Sequence, residues 1–308
     1  MSDQYHIPVM LSECVEGLNI NPSGIYVDVT FGGGGHSKEI LKHLDENGKL
    51  YSFDQDPDAL RNVEGIDSSS FNFIQANFRH IKRFLKLKGV SQVDGILADL
   101  GISSHQIDEG ERGFSTRFDA QLDMRMDQKQ TLTARTIVNE YAEKDLHKIF
   151  GIYGEIKNAK TLASAIVSAR SEGPIETIDQ LKNILVKIAP RNREFKYFAQ
   201  AFQALRIEVN DEMGALEDLL VQCGDILAPG GRLVVMSYHS LEDRLVKNYI
   251  AKGKFSGEAE KDFYGNLIRP LSPVTRKPVI ATPDEVDENP RARSAKLRIA
   301  EKKQDDKK

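Results

Sequence analysis

The chain has 308 residues, 40% of them apolar and 29% charged, enough to bury the core of one large or two ordinary domains. No apolar run approaches the roughly 20 residues that cross a bilayer, and "MSDQYHIPVM" has neither the basic nor the apolar segment of a secretory signal, so a cytoplasmic protein is expected. A net charge of −4 excludes a protein that coats nucleic acid by bulk attraction.

Charge is nonetheless uneven. "RHIKRFLKLKG", "RNREFK" and "NPRARSAKLR" are basic, "TPDEVDENP" and "NDEMGALED" are acidic, and "KKQDDKK" reads as a polar, disordered tail. Cys14 and Cys223 fall in apolar helical patterns and read as buried reduced thiols. No Cys/His cluster suggests a metal.

The first hundred residues alternate strand and helix. "GIYVDVTF" predicts a buried strand and "SKEILKHL" a helix; "GKLYSFDQD" predicts the next strand, with a helix from Pro57 through "DALRNV". "FNFIQANF" and "VDGILADLG" predict strands three and four around the helix "FRHIKRFLKLKG". This spacing means a parallel, doubly wound sheet, whose ligands sit beyond the carboxyl ends of its strands. From about Ser103 to Arg206 no buried strand is evident. Helical patterns appear instead: "NAKTLASAIVSAR", and "TIDQLKNILVKIA" with Thr177 as N-cap and Pro190 just past its end. Phe195, Phe198, Phe202 and Leu205 share one face of a further helix and are expected in a core. After a long amphipathic helix and the turn "APGG", "RLVVMSYHS" predicts a fifth strand, "LEDRLVKNYI" a helix and "AKLRIAE" a late strand. The expected organisation is a sheet domain in two parts, 1–106 and 207–308, interrupted by a helical domain at 107–206.

"DVTFGGGGHS" sets four glycines between the first strand and its helix, the place where a nucleotide-type cofactor meets backbone N–H groups. A dinucleotide fingerprint beginning at Gly32 would need glycine where Ser37 stands, and a flexible loop would also account for the run. The neighbours sharpen the reading. Asp28 precedes Gly32 by four residues; Asp54 ends the second strand, where a carboxylate accepts ribose hydroxyls; Phe78 follows the third; Asp99 ends the fourth. Asp28 could equally brace the turn, and Asp54 could cap the helix near Pro57. With "LAPGGRL" (Leu227 to Leu233) before the fifth strand, the set resembles the S-adenosylmethionine-dependent methyltransferases.

Longer stretches narrow the likeness. "HIPVML", "TFGGGGHS", "DLGISSHQID", "ERGFS", "LDMRMD", "SYHSLEDR" and "NPRARSAKLRIAEK" together resemble the bacterial 16S rRNA (cytosine(1402)-N(4))-methyltransferase family, over about His6 to Lys302. The resemblance implies a class I S-adenosylmethionine-dependent methyltransferase, a Rossmann-like α/β sheet with an inserted helical domain that recognises RNA. It implies methylation of a cytosine N4 amine at the decoding centre of the small ribosomal subunit. It also implies cofactor contacts at Gly34, Gly35, His36, Asp54, Phe78, Asp99 and Gln106; His36 and Gln106 would not stand out otherwise.

Asp99 is the candidate catalytic acceptor for the amine, aided by a carbonyl of "LGIS", although it could serve the cofactor instead. Related amine methyltransferases carry prolines and an aromatic here, whereas this chain has Asp99-Leu100-Gly101-Ile102, so Tyr238 or Phe114 is left to stack on the base. His239 and Ser240, with Tyr238 in "SYHS", are expected to position substrate. Arg112 and Arg125, each beside acids, suggest an internal ion-pair network. Arg191, Arg193 and Lys196, and Arg291 and Arg293, are candidate phosphate contacts. A nicotinamide dehydrogenase, a methyltransferase acting on another nucleic acid, protein or small molecule, and a non-catalytic RNA-binding assembly protein remain as alternatives. Either a monomer or a homodimer is compatible with the sequence.

Overall fold

The computed structural model describes residues 8–303; His6 and Ile7 of "HIPVML" and the tail from Gln304 lie outside the described residues. Among them no helix is long and apolar enough to cross a membrane. Two compact units form, one from the chain up to Gly101 and from Met213 onward, the other from Ile102–Glu212. The helical unit is longer at both ends than the 107–206 drawn from sequence. Its first residue, Ile102, packs on the helical core, and its last long helix runs to Asn210.

In chain order the elements are α1 (Leu11–Leu18), β1 (Ile25–Asp28), α2 (Gly35–Lys42), β2 (Lys49–Asp54), β3 (Phe71–Gln75), α3 (Ile81–Leu87) and β4 (Val93–Asp99). The helical unit adds α4 (Ser104–Asp108), α5 (Ala134–Glu140), α6 (Glu143–Ile152), α7 (Ala159–Glu172), α8 (Ile178–Ile188) and α9 (Glu194–Asn210). Then come α10 (Glu212–Ile226), β5 (Leu227–Ser237), α11 (Ser240–Lys252), β6 (Leu271–Pro273), α12 (Pro283–Glu288) and β7 (Lys296–Lys302).

The sheet order is β3-β2-β1-β4-β5-β7-β6, with β1 to β5 parallel and β7 antiparallel to both neighbours. The chain winds outward from β1 to β3 and returns to β4, so the order reverses between β1 and β4. That reversal opens a crevice at their carboxyl ends. Both faces of the sheet are covered. Ile96 and Ala98 join Val27, Phe53 and Val235 on one side, while Leu97 joins Tyr26, Leu50 and Met236 on the other. Burial on both faces explains why the strands read as continuous apolar runs.

Local chemistry departs from the sequence reading in a few places. "DALRNV" forms a 3-10 turn, Pro57–Asn62, capped by Asp56, and a second such turn at Phe78–His80 precedes α3. β6 escaped notice because three residues ending in a proline suit only a sheet edge. In the helical unit, α8 starts at a capping box of Thr177 and Gln180. Phe198, Phe202 and Leu205 of α9 enter a core with Leu146, Phe150, Leu162 and Leu181. Phe195 does not: it is 89% exposed, because it lies in the first turn of α9, before the helix reaches that core.

Candidate active site

Four strand ends supply the acids and the aromatic that the alternation predicts. Asp28, the last residue of β1, is buried and accepts from Ser37 Oγ at 2.6 Å and from the Thr30 backbone N–H at 3.1 Å. Ser37 Oγ also lies 2.8 Å from Ser52 Oγ, so the β1 carboxylate, the start of α2 and β2 form one buried polar knot. Burial pushes the Asp28 carboxyl above its ordinary range despite these donors. Asp28 therefore braces the turn.

Asp54, ending β2, is half-buried. Its Oδ2 accepts from the Gly32 N–H at 2.8 Å and its Oδ1 from the Asp56 N–H at 2.8 Å. Burial pushes it up to about 6. The loop after β2 is tied to the loop after β3 by Asn77 Nδ2 donating to Gln55 Oε1 at 2.7 Å, and Phe78 follows directly.

The glycines do different jobs. Gly34 has φ +76, and a Cβ there would come within 2.9 Å of the Phe31 ring. At Gly35 a Cβ would collide with Pro8 Cγ at 2.2 Å. The protein's own packing thus occupies the space beside both. Only at Gly33, of these three, does an added Cβ meet nothing within 4 Å. Gly34 is also the N-cap of α2 and brings no capping side chain, which leaves that helix start uncapped.

Asp99 ends β4. Its backbone N–H donates to Thr30 Oγ1 at 2.7 Å, and its Oδ1 accepts from the Tyr238 hydroxyl at 2.7 Å. Its Oδ2 lies 3.8 Å from Nδ1 of buried His36, whose Nε2 donates to the Val9 carbonyl at 3.2 Å. Burial pushes Asp99 up to about 6, against the opposing pull of His36 and Tyr238. Tyr238 is itself pushed far above its ordinary value, by burial and then by the Asp99 charge. Gly101, at φ +102, lies beside the Tyr238 ring, 3.4 Å from the position a Cβ would take. The β4–β5 register, Asp99 opposite Met236, delivers Tyr238 to this spot.

The remaining candidates divide. His239 and Ser240 stand at the start of α11: His239 is its N-cap, in a capping box with Glu242, whose Oε2 accepts the Tyr238 N–H at 2.9 Å. Gln106 is buried and forms a capping box with Ser103 in the helical unit. Phe114 does not offer a stacking face; it is buried in the helical core with the Arg112 guanidinium 5.8 Å over its ring. Arg125 pairs bidentately with Asp123, at 2.7 Å for each contact, and donates to the Gln128 and Gln130 carbonyls, as an internal network requires. Arg191 and Arg193 are exposed on the turn into α9, beside exposed Phe195 and Lys196. Arg291 and Arg293 lie on a 3-10 turn, Pro290–Ser294. Sequence reasoning missed Thr30, Ser37, Pro8 and Val9 as supports of the site.

A doubly wound sheet carrying carboxylates at the ends of β1, β2 and β4 around a glycine turn defines a class I S-adenosylmethionine-dependent methyltransferase. The model of the MraW methylase family matches residues 3–303, and the chain belongs to that family. Ribosomal RNA small subunit methyltransferase H of Cytophaga hutchinsonii is 60% identical over 298 residues, covering 97% of this chain and 99% of that protein. Its namesake in Flavobacterium johnsoniae is 58% identical over 299 residues, with coverage of 97% and 98%. Among solved structures, an rRNA methylase from Streptococcus thermophilus aligns at TM-score 0.40 and 14% identity over 96% of this chain and 94% of that one. Membership rests on the sequence matches.

Proposed function

We propose that this chain methylates the exocyclic N4 amine of a cytosine in 16S rRNA, using S-adenosylmethionine, and that Asp99 receives the amine. The observation that carries the proposal is the Asp99 carboxylate at the end of β4, with Tyr238 on one oxygen and His36 near the other. Cytosine N4 shares its lone pair with the ring and is a poor nucleophile. Accepting hydrogen bonds from its N–H groups draws the nitrogen toward tetrahedral geometry, and a charged acceptor makes such bonds about twice as strong as a neutral one. Holding the amine in position also removes much of the entropic barrier. Tyr238 fixes the rotamer of Asp99, and the buried His36 ring stands beside its other oxygen.

The residues fit the cofactor. Open space beside Gly33, with half-buried Asp54 at the next strand end, makes a cradle with an acceptor at its edge. Each carboxylate oxygen has two acceptor sites, so Asp54 holds Gly32 and Asp56 with capacity left for ribose hydroxyls. Phe78 supplies an apolar surface for the adenine, and the start of α2 at Gly35 and His36 supplies N–H groups for the carboxylate end. When bound, S-adenosylmethionine provides a methyl group activated on a sulfonium. His239 and Ser240 position substrate by fixing the β5–α11 corner beside Tyr238.

The target base must leave its stack to be reached. Exposed Phe195 among Arg191, Arg193 and Lys196 combines a stacking face with phosphate-binding cations. A cavity of about 470 Å³ elsewhere in the helical unit, lined by Glu140, Asp145, Glu208 and Lys148, carries the wrong charge for phosphate. Either a monomer or a homodimer is compatible with this reading; sedimentation with and without rRNA distinguishes them.

The test is label transfer from methyl-tritiated S-adenosylmethionine to unmethylated small ribosomal subunits, free rRNA and DNA, followed by nucleoside digestion. Label in N4-methylcytidine is expected from the ribosomal acceptor. Label in another nucleoside, or in DNA alone, overturns the choice of substrate; full activity of Asp99→Ala removes Asp99 from the chemistry.

A further inference from the structure

Between α11 and β6 the chain makes a hairpin that presents two aromatic rings to solvent. Phe263 is 96% exposed and Tyr264 86%. Large aromatics are dominant contributors to burial, so two adjacent ones left outside on one turn call for an occupant.

The turn is held in place. Asp262 Oδ1 accepts from the N–H groups of Tyr264 and Asn266, both at 2.9 Å, and its Oδ2 accepts from Asn266 Nδ2 at 3.0 Å. Gly265 takes the left-handed φ of +85 that closes the loop. Lys261 and Leu267 form a bridge below it, and the Ile268 N–H donates to the Glu260 carbonyl at 2.9 Å. The root is anchored on α11: Phe255 stacks on Tyr249 at 5.1 Å, Asn248 Nδ2 donates to the Phe255 carbonyl at 2.8 Å, and Arg269 donates to the Ala251 carbonyl at 3.1 Å. The rings are therefore displayed by an ordered backbone, which lowers the entropy cost of binding through them. They meet edge to face, 5.6 Å apart at 88°, so one ring can offer its face to a base while the other flanks it.

Charge selects the partner. Residues 252–277 carry six cations (Lys252, Lys254, Lys261, Arg269, Arg276 and Lys277) against three acids (Glu258, Glu260 and Asp262), a local balance of +3 in a chain whose total is −4. Exposed aromatics interleaved with cations are the chemistry that binds unpaired nucleic acid: every base has a face to stack, and the phosphates beside it need cations.

We propose that Phe263 and Tyr264 form a stacking finger for an unpaired stretch of the RNA acceptor, with Lys261 of the same hairpin and further cations of this segment on its phosphates. This rests on the rRNA reading above and adds to it a contact on the sheet unit, outside the strand-end site.

The experiment compares the parent chain, Phe263→Ala/Tyr264→Ala and Phe263→Tyr/Tyr264→Phe. It measures equilibrium binding to unmethylated small ribosomal subunits, KM and kcat for the same subunits, and S-adenosylmethionine affinity. The double alanine variant is expected to lose about tenfold or more in subunit affinity. Its KM should rise, its kcat should stay within about twofold, and its cofactor affinity should match the parent. The aromatic swap should behave as the parent. Parent-like affinity and KM in the alanine variant overturn the proposal. So does an effect confined to anionic vesicles or to self-association, which would assign the finger to a lipid surface or a second copy. If the parent itself neither binds nor methylates subunits, the rRNA reading fails instead. Should the alanine variant lose cofactor binding through misfolding, ultraviolet cross-linking of the parent decides: an RNA adduct on Phe263 or Tyr264 upholds the finger, and adducts only elsewhere remove it.

Discussion

The carboxylates at the strand ends of the sheet unit behave in the opposite way to the paired carboxylates of the helical unit. At the strand ends burial pushes Asp28, Asp54 and Asp99 up, the last two to about 6, because the N–H and O–H groups they accept do not offset desolvation. In the helical unit burial also pushes Asp123 up, but the bidentate Arg125 more than reverses it, and Arg135 pulls Glu176 down. Even in the sheet unit, Asp243 on α11 is held low against burial by Arg298 and Lys296. The chain thus relieves its carboxylates with cations in several places, while at the strand ends it partners them with neutral donors and one histidine. Perturbed groups gathered in one crevice mark where chemistry is done.

The largest expected effect comes from breaking that asymmetry at its centre. Asp99→Ala should lower kcat by about 10²–10³, the range for removing one preorganised electrostatic group, measured by label transfer at saturating cofactor. If the loss appears as weaker cofactor binding with kcat intact, Asp99 serves the cofactor. In the parent, kcat should fall below about pH 6 as Asp99 takes up its proton and loses acceptor capacity. Asp54→Ala should act on cofactor affinity instead, weakening it by about 10–100-fold, since hydrogen bonds to a charged group contribute about 1.5–3 kcal/mol.

A smaller effect sharpens the energetic side of the comparison. The folded-state value of about 6 for Asp99 lies above its unfolded value near 3.8, so the folded chain binds more protons between those limits. Its burden on stability is absent below about pH 4 and complete above about pH 6. Asp99→Asn removes the charge and keeps an acceptor for the Tyr238 hydroxyl. It should therefore stabilise the chain at pH 7 by about 1–3 kcal/mol, and the gain over the parent should shrink as pH falls from 6 to 4. Paired denaturant titrations at pH 7 and pH 4.5 measure it; a gain independent of pH would place the cost elsewhere.

Much of this arrangement was legible. Strand-length apolar runs punctuated by Asp28, Asp54 and Asp99 put the acids at strand ends, because a parallel strand buried on both faces has few other places for a charge. What escaped were consequences of register and of packing between distant segments. Tyr238 meets Asp99 only because β5 pairs with β4 in one particular register, across 139 residues of chain. Pro8 fills the space at Gly35, which no local pattern announces. Phe195 misled because helical periodicity shows which residues share a face and not where the helix leaves its core. Phe263 and Tyr264 drew no notice, since aromatics are expected inside until a structure shows them outside.

The smallest effect tests the other side of the comparison. Thr177 caps α8, its side chain accepting from the Gln180 N–H while the Gln180 side chain accepts in return from the cap backbone. Thr177→Ala removes half of that exchange and should cost about 1 kcal/mol. Neither capping group titrates between pH 4.5 and 8, and the core beneath α8, with Ile178, Leu181 and Leu185 buried, is apolar. The loss should therefore be the same at pH 4.5 and pH 7, unlike the gain from Asp99→Asn, and S-adenosylmethionine affinity should be unchanged, unlike that of Asp54→Ala. A cost that varied with pH by as much as that of Asp99→Asn would mean that the helical unit carries a titrating burden of its own, and the contrast between the two units would fall.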